Sequence, residues 1–231
     1  EPSVEGWSHS HLGEVLANEG QIDDARKHYA FALEASRRLG DRKLECAALN
    51  GLGNLADARG QLDAARRHYE TALGVARGAN DRRWERALLG NLGNVKAYLG
   101  ATIEARSDYE AGLRLAREAG DRRREGNALS NLGLLDLVGQ QMQAAQAQFE
   151  AALRIARELG YRRLECIVLC NLGIAQDAQR NARQAQSSFE QSLAIACELA
   201  AHTSQGQSPG LTRATVASTK VASVLPRANC C

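Results

Sequence analysis

The sequence predicts an all-α protein, a solenoid of five antiparallel helical hairpins stacked in series. Three observations carry that expectation. A forty-residue motif recurs five times without slippage, and apolar residues within each copy stand three and four apart. The core must also be built from small aliphatic residues, because 44% of the 231 residues are apolar while only 4% are aromatic. Such spacing and composition favour helices.

The period comes first. Leu12-Gly13, Leu52-Gly53, Leu92-Gly93, Leu132-Gly133 and Leu172-Gly173 recur at intervals of forty. At the same interval lie Ala25, Ala65, Ala105, Ala145 and Ala185, the rings Tyr29, Tyr69, Tyr109, Phe149 and Phe189, and Leu33, Leu73, Leu113, Leu153 and Leu193. The repeats run over about 3–41, 42–81, 82–121, 122–161 and 162–201. A tail of different composition, expected to be disordered or to act as a cap, fills 202–231.

Each copy holds two helices. Leu49, Leu52 and Ala56 mark the first, and Ala65, Tyr69, Ala72, Leu73 and Ala76 mark the second, each set forming one stripe of a helix. No single hairpin can bury such faces alone, so the copies must stack. Between the two helices stand Gly20, Gly60 and Gly100, suited to a left-handed turn that ends a helix without a Cβ clash. Gln140 and Arg180 take that place in the last two copies; Gly139 is expected to serve in the fourth, and the fifth turn to be the least regular. Asp41, Asp81 and Asp121 are placed to open the next hairpin. Glu45, Glu85, Glu125 and Glu165 follow in its first turn, where the helix dipole favours negative charge. The Gly13-type and Ala25-type positions let two helices approach closely, and the Tyr29-type ring fills the space between successive hairpins.

Leu52-Gly53, Gly60, Ala65, Tyr69 and Ala72-Leu73 together resemble the tetratricopeptide repeat, and the likeness covers residues 3 to about 201. It implies a right-handed superhelix in which the first helix of every hairpin lines the concave side. The forty-residue form, with Asn-Leu-Gly-Asn at Asn91 to Asn94 and Asp-Arg-Arg at Asp81 to Arg83, is similar to two groups. One is the cell-polarity adaptors of animals; the other is the repeat regions of large bacterial signalling ATPases, kinases and transcription activators. The early Trp and later Tyr of the family's first helix are absent, with Leu49, Leu89, Leu129 and Leu169 in the former place. That alters packing detail rather than fold.

A ligand is therefore expected on the first helices. Off their packing stripe, asparagines recur at Asn50, Asn54, Asn91, Asn94, Asn131 and Asn171. Asn is a mediocre helix former, so its recurrence inside helices needs a reason. Its amide offers a donor and an acceptor together, which suits gripping the backbone of an extended peptide. The resemblance implies the same role, since asparagines at corresponding places in similar adaptors contact peptide backbone. The competing reading is that the amides bond only between neighbouring hairpins. The positions of Asn54 and Asn94 become Leu134 and Ile174 in later repeats, with Leu137 and Val138 nearby. A polar grip in the N-terminal half and an apolar anchor pocket in the C-terminal half are thus expected. The polarity adaptors carry Arg four residues before the first Asn of the motif, whereas Ala87, Asn127 and Ile167 stand there in this chain, so a preference for acidic peptides does not carry over, with Arg86 one position earlier as a partial substitute.

Other classes of function find less support. The formal net charge is +2, far from a concentrated basic footprint. Arg42, Arg82, Arg122 and Arg162 form a candidate electrostatic edge at the junctions, but acidic neighbours within a few residues point to a solvated, locally paired face. RNA binding along that edge is the third reading, after peptide binding and after a sensor region of a larger signalling protein. No G-x-S-x-G, phosphate-cradling Gly loop or H-E-x-x-H occurs, and neither an enzyme activity nor a cofactor or metal is expected. Cys46, Cys166, Cys170 and Cys197 fall within apolar helical patterns without C-x2-C spacing, which suits buried thiols in a reducing cytoplasm. Cys166 and Cys170, one turn apart, are the one pair that invites a metal or redox reading. His28 and His68, repeat-equivalent and beside Tyr29 and Tyr69, read as architectural.

No run approaches the roughly 20 apolar residues of a membrane span. A helical pattern opens almost at Glu1, which predicts a processed chain or a piece of a longer one. After His202 the repeat stops and Pro209-Gly210 breaks any helix; Leu211 to Leu225 is a candidate cap, and Cys230-Cys231 resembles a prenylated end without the context that would support one. An uncapped last repeat would leave an apolar face open to end-to-end self-association. The sequence thus predicts a scaffold for a protein or peptide partner whose identity it does not state.

Overall fold

The computed structural model describes residues 2–204, with side chains over 3–201. The described residues form ten α-helices and no strand: α1 (Pro2–Asn18), α2 (Ile22–Leu39), α3 (Arg42–Ala58), α4 (Leu62–Gly78), α5 (Arg82–Tyr98), α6 (Thr102–Glu118), α7 (Arg122–Val138), α8 (Met142–Glu158), α9 (Arg162–Ala178) and α10 (Ala182–Ser204). Odd-numbered helices are the first and even-numbered ones the second of each hairpin, at the spacing the sequence predicts. The candidate cap Leu211–Leu225 and Cys230-Cys231 lie outside the described residues.

The fold divides inside α6 into two compact units, Glu1–Gly112 and Leu113–Cys231. In the first, α1 pairs with α2 and α3 with α4, while α2 against α3 and α4 against α5 join one hairpin to the next. The first helices α1, α3 and α5 also touch in series. In the second unit α7 pairs with α8 and α9 with α10; α8 meets α9, and the first helices α7 and α9 touch.

One contact recurs in every hairpin and explains two of the periodic positions together. A Cβ built on Gly53 would lie 2.4 Å from a Tyr69 ring carbon; on Gly93, 2.5 Å from Tyr109; on Gly133 and Gly173, 2.7 Å from Phe149 and Phe189. Glycine is there because the ring occupies the space of its missing side chain. Tyr29 is enclosed from two sides, by Gly13 of its own hairpin at 3.2 Å and by Gly51 of the next, where a Cβ would lie 2.3 Å away. The ring therefore fastens second helix to first within a hairpin, and at Tyr29 it also fastens successive hairpins.

Helix starts follow the sequence closely. Leu44 N donates to Asp41 Oδ1 at 3.0 Å, Arg83 N and Trp84 N donate to Asp81 Oδ1 at 3.1 and 3.0 Å, and Arg124 N donates to Asp121 Oδ1 at 3.1 Å. Each cap satisfies amides that the helix cannot, and contributes about 1 kcal/mol. Trp7 Nε1 donates to the other oxygen of Asp41 at 3.2 Å, tying α1 to the start of α3. In the fifth repeat Tyr161 replaces the capping Asp and makes no side-chain cap; its ring instead lies 4.7 Å beneath the Arg123 guanidinium.

The turns correct one expectation. Gln140 and Arg180 adopt the left-handed conformation themselves, with φ of 57° and 61°, alongside Gly20, Gly60 and Gly100 at 74° to 80°. Gly139 does not take over; its φ is −75°. The fifth turn is as regular as the others, because the same bonds close all of them: Gln61 N to Ala56 O at 2.9 Å, Gln141 N to Asp136 O at 2.8 Å, Asn181 N to Gln176 O at 2.9 Å. The packing of two helices at a fixed separation imposes the turn, and a Cβ there is tolerated at a cost of about 1 kcal/mol.

Candidate functional site

The asparagine positions divide the chain into two kinds of surface. In the first unit, Tyr69 Oη donates to Asn54 Oδ1 at 2.7 Å, and Tyr109 Oη donates to Asn94 Oδ1 at 2.7 Å. The ring packed on glycine thus extends its hydroxyl to the first helix and holds the amide there. Asn54 is exposed and Asn94 half-buried, so neither amide is sealed inside the stack. With its oxygen accepting from the hydroxyl, exposed Asn54 offers mainly N–H donors outward. Burial raises the Tyr69 and Tyr109 hydroxyls well above the usual tyrosine range, so they stay protonated donors. Tyr29 has Glu14 nearby instead of an asparagine; burial, with help from that charge, pushes its hydroxyl up to about 12.

Asn50 and Asn91 form a different element. Asn91 Nδ2 donates to Asn50 Oδ1 at 2.9 Å, a rung between successive first helices α3 and α5. These two residues are not repeat-equivalent; Asn91 corresponds to Gly51, where the Tyr29 ring leaves no room for a side chain. Both remain half-buried.

In the second unit Phe149 and Phe189 replace the tyrosines, and Leu134 and Ile174 replace the asparagines. The hydroxyl disappears together with its acceptor. Leu134, Ile174 and Asn131 are half-buried. Two expected members leave the surface. Leu137 is 3% exposed and Asn171 2% exposed, so both belong to the interior of the stack and not to a groove. Sequence spacing placed them one step off the packing stripe, but in these hairpins the stripe is wide enough to include them.

The junction arginines are held rather than free. Arg42 Nη1 donates to Glu45 at 3.1 Å, Arg82 to Glu85 at 2.9 Å, Arg122 to Glu125 at 2.6 Å and Arg162 to Glu165 at 2.8 Å. A second series, Arg37, Arg77, Arg117 and Arg157 at the ends of the second helices, donates to the other oxygen of the same glutamates at 2.9 to 3.3 Å. Each glutamate is nearly buried and bridges the end of one hairpin to the start of the next. Burial alone would raise Glu85 and Glu125, but the two arginine hydrogen bonds at each outweigh it and hold both below the usual carboxylate range. The Arg37 series repeats at forty and was readable in the sequence; only the structure joins it to the glutamates.

Among the described residues no group of three or more His, Cys, Asp or Glu could hold a metal ion. Cys46, Cys166, Cys170 and Cys197 are free thiols. Burial pushes the Cys46 thiol up to about 12, and its Sγ lies 3.6 Å from Ala72 O, a structural environment. Cys166 faces Ser192, whose Oγ donates to Cys166 O at 2.9 Å. His28 meets His9 with ring nitrogens 2.7 Å apart, within the first hairpin.

A model of the tetratricopeptide repeat matches residues 5–78, 84–158 and 127–198. The chain belongs to the tetratricopeptide-repeat family. Solved tetratricopeptide-like structures share its fold at low identity. BtubC (BKLC) from P. vanneervenii superposes with a TM-score of 0.76 at 22% identity, over 90% of this chain and 84% of that one. The repeats of a putative kinesin light chain from Podosopora anserina give 0.67 at 17% identity, over 86% and 98%. YrrB, described as a tetratricopeptide protein with an unusual peptide-binding site, gives 0.53 at 18% identity, over 85% and 90%. No curated protein matches the sequence. Among the described residues no helix is long and apolar enough to cross a membrane.

Proposed function

We propose that this tetratricopeptide-repeat chain is a non-catalytic cytoplasmic scaffold that binds an extended segment of a partner protein on its first-helix surfaces. In the first unit Asn50, Asn54, Asn91 and Asn94 hold the segment's backbone. Considered by itself, the first-helix surface of the second unit, with Leu134, Ile174 and Asn131, receives apolar side chains of a partner. Family membership supports an interaction scaffold, and the likeness to YrrB, a tetratricopeptide protein with a peptide-binding site, supports a peptide as the ligand.

The observation that carries the reading is the paired change of ring and neighbour. The hydroxyls of Tyr69 and Tyr109 are spent on exposed or half-buried amides, whereas Phe149 packs on Gly133 equally well without one. A hydroxyl that packing does not need, directed at an amide that packing does not bury, is best explained by a ligand that requires the amide in a fixed orientation. Pairing of each junction arginine with a nearly buried glutamate favours peptide binding over RNA binding along that edge.

The test begins with peptides selected from a random library on the wild-type chain. Their affinities are then measured for Asn54→Ala/Asn94→Ala and for a control on the exposed second-helix face, Glu110→Ala. Loss of one to two net hydrogen bonds predicts about tenfold weaker binding to the double variant and an unchanged affinity for the control. Equal affinities for wild type and double variant would overturn the reading.

A further inference from the structure

The asparagines of the first unit lie on a stripe whose two ends carry opposite charge. On α3, Lys43, Ala47, Asn50 and Asn54 are spaced by four, three and four residues, and on α5 Arg83, Ala87, Gly90 and Asn94 repeat that spacing. Residues so spaced share one side of a helix. The eleven steps from Lys43 to Asn54, or from Arg83 to Asn94, rise about 16 Å, so each cation stands at the start of its helix and each amide towards its end.

The fold makes no use of either cation. Lys43 and Arg83 are exposed, and among the described residues neither side chain enters a salt bridge. Their chain neighbours differ, since Arg42 and Arg82 are held by Glu45 and Glu85 at 3.1 and 2.9 Å. A positive charge in the first turn also opposes the helix dipole, so helix stability does not account for Lys43 and Arg83.

The other end is acidic. Glu14 occupies on α1 the place that Asn54 and Asn94 occupy on α3 and α5. It is exposed, and no basic side chain among the described residues pairs with it. Its charge is close enough to Tyr29 to help raise that hydroxyl, as the charge of Asp57 does at Tyr69. Cations at the ends of α3 and α5 are committed elsewhere: Arg59 donates to Asp23 and Lys96 to Asp108, both at 2.6 Å.

We propose that the segment bound by this unit is of mixed charge, with a lysine or arginine received by Glu14 and an aspartate or glutamate received by Lys43 or Arg83. This rests on the reading of the first helices as the binding surface and names the chemistry that the surface selects. An extended chain held at its backbone by the asparagines sends successive side chains to opposite edges. Each edge lies about 8 Å from the middle of the stripe, within reach of two long charged side chains extended towards each other. Basic and acidic residues of the segment are therefore an odd number of positions apart. A wholly acidic segment would set a carboxylate against Glu14, and a wholly basic one would set its cations against Lys43 and Arg83, so the surface disfavours both.

The experiment selects peptides from a random library on the wild-type chain. Their affinities are then measured for Glu14→Lys, for Lys43→Glu/Arg83→Glu and for the control Glu110→Lys on the second-helix face, all at exposed positions. Selected sequences are expected to combine basic and acidic residues at odd spacing. Each charge variant should bind them about fivefold more weakly in dilute salt, with the control unchanged. The difference should close at about 1 M salt, where the screening length falls to roughly 3 Å. Selected peptides of a single sign would overturn the inference, and so would equal affinities for wild type and both charge variants. If those equal affinities accompany the loss expected of Asn54→Ala/Asn94→Ala, the binding surface stands and its charge selection alone falls. If the asparagine variant also binds unchanged, the surface reading falls with it.

Discussion

Hairpins of the first unit and of the second pack alike and differ in what they present. Tyr69 on Gly53 and Phe149 on Gly133 fill the same space, with hypothetical Cβ distances of 2.4 and 2.7 Å. Only the first unit adds a hydroxyl, and only there does an asparagine receive it. The scaffold and the surface chemistry are therefore separable: the ring belongs to the fold, its hydroxyl to the amide.

The largest expected effect tests what the two units share. Gly53→Ala and Gly133→Ala should each destabilise by about 1–3 kcal/mol, since the added carbon overlaps a ring with no free direction to move. Urea denaturation of each variant measures this, and a neutral result at either glycine would break the equivalence.

Exchanging the rings tests what they do not share. Phe149→Tyr places a hydroxyl beside aliphatic Leu134 and should cost about 2 kcal/mol as an unsatisfied group. Tyr69→Phe removes one hydrogen bond and should cost about 1 kcal/mol, with faster exchange of the Asn54 side-chain amide by NMR. A change of similar size and opposite sign is expected at the turns. Gln140→Gly relieves a left-handed residue and should stabilise by about 1 kcal/mol in thermal or urea melts, whereas the matching turns at Gly60 and Gly100 have nothing to relieve.

Titration separates the units further. The folded-state hydroxyls of Tyr69 and Tyr109 titrate above their ordinary value of 10.0, so their contribution is complete below that pH and is lost as pH rises beyond it. Cys46, raised by burial to about 12, adds to the same loss in the first unit. Glu85 and Glu125, held below their ordinary 4.5, contribute stability above that pH and lose it as pH falls through their lowered values, one in each unit. Hydrogen exchange at alkaline pH should thus weaken the first unit more, while acid should weaken both. A Tyr69→Phe variant with an undiminished alkaline slope would contradict the assignment.

Much of this was legible in the sequence because a repeat states its rules five times. The forty-residue period and the Asp41-type caps follow from residue type at fixed offsets, whereas the sequence sets the ring between successive hairpins and the structure packs it on the glycine of its own hairpin, Tyr29 alone also meeting the next one. What was not legible has specific causes. Side-chain identity at 140 and 180 argued against a left-handed turn, but helix packing overrode local preference. The rung between Asn50 and Asn91 joins residues that the period does not align. Helical phase puts Asn171 off the packing stripe and Leu137 lies beside the expected apolar anchor, but neighbouring helices bury both. The arginines at 37, 77, 117 and 157 were visible as a series, yet their partners lie eight residues away in the next hairpin, beyond the reach of helical spacing.

Hydrogen exchange with a library-selected peptide bound tests most directly whether the first helices form the binding surface. Binding is predicted to slow exchange in α3 and α5 of the first unit and in α7 and α9 of the second, leaving the exposed faces of α4 and α8 unchanged. Protection confined to α4 and α8, with the first helices unaffected, would contradict it.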